Sequence, residues 1–142
     1  MAQPYHTYRQ ADVTTADQGK LILMVYDHCI KWVRKAEEEL TVGKMERMAR
    51  AIQRAQNGLT ELMCTLNMEK GGEIARNLFR LYDFYSRHLT AAIRQQSHKH
   101  LQDVAGMMGR LREAWVVAIE NVRRDHQSLL ATTVSAQLSL VR

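Results

Sequence analysis

Apolar residues recur along this chain at alternating spacings of three and four, in four successive blocks, and that period limits the fold more than anything else in it. The cleanest block is Met45, Met48, Ile52, Ala55, Leu59, Leu62 and Leu66, a heptad seam down one side of a helix. Ahead of it stand Ile22, Tyr26, Cys29, Val33, Ala36 and Leu40. Behind it come Ala75, Leu78, Tyr82, Tyr85, Leu89 and Ala92, then Leu101, Val104, Met108, Leu111, Trp115, Ala118 and Val122. A stripe of this kind is buried by packing on other helices that carry one. The interruptions around Gly43, Gly71-Gly72 and Ser97 are only a few residues long, so consecutive helices must turn back on each other.

The expected fold is therefore all-α, an antiparallel up-down-up-down four-helix bundle over residues 15–124, with helices at about 16–40, 44–66, 73–96 and 98–123. Residues 1–14 read as an N-terminal arm and 125–142 as a mobile or partly helical tail. Gly19 sits badly in the first helix, where it costs about 1 kcal/mol relative to alanine. Its presence predicts either a frayed first turn or a close neighbour.

Composition supports one helical domain: 142 residues, 46% hydrophobic, a single proline and 6% aromatic. The net charge of +5 is spread over every predicted helix, which argues against a clustered nucleic-acid footprint. The N-terminus has no apolar run behind its charges, and the longest apolar run, Leu21 to Tyr26, falls far short of the roughly 20 residues of a spanning helix. The expectation is a cytoplasmic protein without membrane insertion, its Cys29 and Cys64 reduced.

Catalytic chemistry has little to rest on. None of the six histidines follows a glutamate by three residues, which removes the di-iron pattern of helical bundles. His98 and His100 are poorly spaced for one helical face, and His28 and His88 lie at seam margins. No phosphate-cradling glycine loop or base-activated nucleophile stands out, so no enzyme, metal or cofactor is expected.

What stands out is apolar surface beyond the seams. Leu21, Val25 and Trp32 flank the first seam, and Trp115 to Ile119 (WVVAI) is apolar around more than a turn. Met24 and Met107 lie beside or off the seams, and methionine suits a surface that accepts an irregular partner. Two readings stay open: these residues complete the core or a homodimer contact, or they form grooves for an amphipathic segment of another protein. The arm carries Tyr5, Tyr8 and Val13, apolar groups able to dock on the bundle.

The order of residues says more. TADQGKLILMVYDHCIKWVRKA resembles the opening of the flagellar export chaperone FliS family, roughly Thr-Ala-Ser-Pro-x-x-Leu-Ile-x-Met-Leu-Tyr-Asp-Gly. GGEIARNLFRLYDFY at 71–85 is similar to that family's Gly-Gly-x-Ile-Ala-x-Asn-Leu stretch followed by Leu-Tyr-Asp-Tyr, and LREAW at 111–115 to its helix-four ending. Gln18, His28, Ile93 and Ser97 depart from the pattern, where proline, glycine, asparagine and aspartate are usual.

The resemblance implies a cytoplasmic chaperone that binds the disordered C-terminal segment of flagellin and prevents its polymerisation before type III export. The export gate and other flagellar regulators are further partners it admits. On that reading Leu21, Met24, Val25, Trp32, Met107, Leu111, Trp115 and Val117 form the client groove, and Tyr5, Tyr8 and Val13 a lid over it. The alternative is a helical interaction or dimerisation module with no chaperone role.

Overall fold

The computed structural model describes residues 15–122 and 127–141, and within that range every regular element is a helix. They are α1 (Thr15–Thr41), α2 (Met45–Thr65), α3 (Met68–Gln95), α4 (His98–Glu120) and α5 (Gln127–Leu140). The expected arm, with Tyr5, Tyr8 and Val13, lies outside the described residues.

The turns follow from local chemistry. Gly43 takes a φ of +78°, open to a residue without Cβ, and its N–H donates to the Leu40 carbonyl at 3.0 Å to end α1. Asn67 caps α3, its side-chain oxygen accepting from the N–H groups of Glu69 (3.1 Å) and Lys70 (2.9 Å). Ser97 caps α4 in the same way through the N–H of His100, so the departure from aspartate keeps its capping oxygen. The stretch around Gly71-Gly72, expected as a turn, is instead a first helical turn of α3, set off from the rest by Gly72 at φ 53°, ψ −128°.

The first four helices close a ring in which α1 packs on α2 and α4, and α3 on α2 and α4. Their antiparallel order shows in the cross-links. Tyr26 of α1 meets Trp115 of α4, whereas Glu37, further along α1, meets Gln102, earlier on α4. An Asp27–Arg112 pair at 2.5 and 3.2 Å ties the same helices between those points. The interior is chiefly the seam residues, with Tyr26, Met48, Ile52, Leu59, Tyr85, Leu89, Leu101 and Met108 fully buried. Helices α1 and α2 are in close contact at Gly58, where an added Cβ would stand 2.5 Å from the Cys29 sulfur.

Residues 127–140, within the stretch read from sequence as a mobile or partly helical tail, form a helix lying against α3 and α4, with Leu130 and Val134 buried. The reason is tertiary. Gln137 is buried in the groove, where its side-chain oxygen accepts from the Tyr85 hydroxyl and its amide nitrogen donates to the Met107 carbonyl at 2.8 Å. Among the described residues no helix is long and apolar enough to cross a membrane.

Candidate functional site: an apolar groove at the open end of the bundle

Four seams do not bury their whole length. Ile22 on α1, Leu66 at the end of α2, and Trp115, Ala118 and Val122 at the end of α4 are seam members, yet none is fully buried. All of them line one groove of about 400 Å³, at the end of the bundle where α1 and α3 begin and α2 and α4 finish. Ile74, Ala75, Leu78 and Tyr82 of α3 form another wall, and Leu130 of α5 reaches its edge. The lining is chiefly apolar, with Gln18, Thr65, Asn67 and Lys70 as its polar part.

Two glycines shape the groove. Gly19 lets Ile119 press against the start of α1, and a Cβ there would lie 2.8 Å from Ile119 Cγ1. The misplaced glycine of the sequence thus has a close neighbour as its cause. On the other side, Gly72 breaks α3 so that Lys70, Gly71 and Ile74 face the same space.

Beside the groove sits a small polar network. The Trp115 indole N–H donates to the Tyr26 hydroxyl at 3.0 Å, and that oxygen lies 2.7 Å from the Tyr82 hydroxyl. Burial, followed by Tyr82 beside it, pushes the Tyr26 phenol well above its ordinary range, so it stays a neutral hydrogen-bonding group. The network fixes the Trp115 ring with one edge bonded inward and the rest on the groove wall. The arrangement offers shape and apolar contact.

The eight residues taken from the sequence as one groove are separated by the structure. Trp115 alone of them lines the groove. Leu111 and Val25 are core, and Leu21 is buried at its margin, because α1 and α4 face each other there. Trp32 lies beneath the Arg54 guanidinium, 4.5 Å from the ring centre, on the α1–α2 side. Met107 is covered by α5, which takes its carbonyl. Met24 and Val117 are exposed, at 49% and 37%. The residues missed as groove, Ile22, Leu66, Ile74, Ala118 and Ile119, carried a usable signal: they are seam or near-seam positions close to the helix ends that meet at one end of the bundle.

Fold and groove define a class, an all-helical bundle with one apolar end left open. Within that class the sequence is specific: residues 1–122 match the family described as Flagellar protein FliS. The chain is 35% identical over 122 residues to the flagellar secretion chaperone FliS of Bacillus subtilis (strain 168), covering 86% of this chain and 90% of that protein. It is 34% identical over 110 residues to the protein of the same name from Salmonella typhimurium, covering 75% and 79%. The Vibrio cholerae relative is 24% identical over 124 residues, covering 87% and 88%. This chain belongs to the FliS family.

Proposed function

We propose that the protein is a cytoplasmic flagellar export chaperone that holds the disordered C-terminal segment of flagellin against premature polymerisation until type III export, acting by binding and without catalysis. The observation that carries this reading is the end groove: seam residues of α1, α2 and α4 stop short of closing the core and leave an apolar channel of about 400 Å³. Family membership supports the reading, since the relatives are described as flagellar secretion chaperones. The physics agrees. A flagellin end with apolar stripes finds a substitute surface, and the entropy of ordering it keeps the complex releasable.

The client path takes in the groove and extends over the exposed Met24 and Val117. Residues 1–14 serve as a competing lid through Tyr5, Tyr8 and Val13, because Gln18 and Gly19, just beyond the arm, stand on the groove wall. Calorimetric titration with a flagellin C-terminal peptide tests both points. Ile22→Asp or Ile119→Asp is expected to weaken binding about tenfold or more, and Met24→Asp or Val117→Asp less, with the fold retained. Deleting residues 2–14 should raise affinity. Equal affinity in all folded variants, or a bundle that dimerises and ignores flagellin, would replace this reading with the plain interaction module.

A further inference from the structure

The family match ends at residue 122, before α5 begins at Gln127. The chain thus adds, beyond the stretch its family match covers, a helix that fills the groove between α3 and α4. Fourteen residues are marginal as a helix on their own, and five of these are serine or threonine, weak helix formers. Docking supplies the stability that local sequence does not. Among the described residues α5 packs on α3 and α4, its buried side chains being Leu130, Val134 and Gln137.

The seating shows what the groove recognises. Two polar groups of the floor meet the buried amide, the Tyr85 hydroxyl and the Met107 carbonyl, one a donor and the other an acceptor. A side-chain amide answers both at once, as Gln137 does, whereas a carboxylate that only accepts or a Lys or Arg that only donates would leave one of them unpaired. Leu130, Val134 and Leu138 supply apolar contact at i, i+4 and i+8, with the amide at i+7. No Asp, Glu, Lys or Arg occurs between residues 127 and 141, so an uncharged helix is what fits.

We propose that the α3–α4 groove is a docking site for an uncharged amphipathic helix of a partner protein, and that α5 is the built-in segment that occupies it until the partner displaces it. The chemistry expected of that partner is aliphatic residues at i, i+4 and i+8 with glutamine or asparagine at i+7. The idea does not rest on flagellin being the client of the end groove. A short, weakly helical, uncharged segment with a small buried set is what a replaceable occupant requires, since undocking it costs few contacts.

The test uses the full-length chain and a fluorescent peptide of residues 127–140 as the probe. Val134→Asp places a charge at a fully buried position of α5 and should undock it while leaving the rest folded. The V134D chain is then expected to bind the peptide about tenfold or more tightly than the wild type, whose own α5 competes. A peptide carrying Gln137→Ala should bind the V134D chain about tenfold more weakly than the unaltered peptide. Equal affinity of the two chains, or indifference to the glutamine, would overturn the proposal. So would loss of bundle helicity in V134D, since an occupant able to leave cannot hold the bundle together. A wild-type dimer with exchanged α5 helices would overturn it too, by making a second copy the occupant.

Discussion

The two ends of this bundle are written in the same heptad code and end up differently. Where α1 and α3 finish and α2 and α4 begin, Val33, Ala36, Met48, Ile52, Leu89, Ala92, Leu101 and Val104 close on one another with essentially no exposed surface. Where α1 and α3 begin and α2 and α4 finish, Ile22, Leu66, Ile74, Ala118 and Ile119 stand around an unfilled groove. Side-chain type does not separate these sets. What separates them is backbone: among the described helices only α3 is broken, by Gly72, and the break lies at the open end. A seam buries itself only where all the helices it must meet arrive together, and surface left open where they do not is available for binding.

The largest expected difference lies in truncation. Leu89→Ala in the closed end should cost about 2–5 kcal/mol in urea unfolding, the range of buried leucine deletions. Ile74→Ala on the groove wall should cost less, about 1–2 kcal/mol, because that side chain is only partly buried against the core. Similar costs would break the distinction between the ends.

Close approaches sharpen it next. Gly58→Ala drives a Cβ to 2.5 Å from the Cys29 sulfur and 3.0 Å from the His28 ring inside the sealed α1–α2 contact, and should destabilise by about 1–3 kcal/mol. Gly19→Ala meets Ile119, which can shift toward the groove. There the gain in helix propensity offsets the crowding, so its unfolding midpoint should change less than that of Gly58→Ala.

A smaller effect belongs to the closed end alone. His88 stacks on His100 at 4.0 Å and lies 3.6 Å from Asp103, with Lys99 close by. Burial, then His100, holds its imidazole below the ordinary histidine range, against the upward pull of Asp103. The unfolded chain therefore takes up this proton more readily. Stability from this site is complete above the ordinary histidine pKa of about 6.5 and falls as pH drops through and below it. His88→Gln should flatten that part of the pH–stability curve, and an unchanged slope would count against the stacked pair as its source.

The smallest effect is a difference in reactivity. Cys29 is buried, its thiol 3.5 Å from the Ala55 carbonyl and pushed up to about 12 by burial, whereas Cys64 is exposed. Native labelling with a thiol reagent should modify Cys64 and leave Cys29 until the chain unfolds. Labelling of both at equal rates would show that the α1–α2 contact opens readily.

Much of the fold could be read before any coordinates. Period alone gave the all-helical class, because burying a stripe is a local demand that every seven residues restate, but it put a turn at Gly71-Gly72, which the structure builds into the first turn of α3. The candidate groove was read only in part. Leu111 and Val25 were taken as groove although they are core, and Ile22 and Leu66 as seam although they line the groove, because period tells which face is apolar and not what covers it. Of the all-round apolar run Trp115 to Ile119, Trp115, Ala118 and Ile119 line the groove and Val116 and Val117 do not.

Residue order therefore settled the class of fold and the family, since both depend on patterns held within short stretches of chain. The open end, the polar contacts under Trp115 and the seating of α5 were decided by the tertiary structure. Each depends on groups dozens of residues apart meeting at a few ångströms. Tyr85, Met107 and Gln137 have no sequence relation to one another, and only packing three helices together makes a buried amide the group that fits.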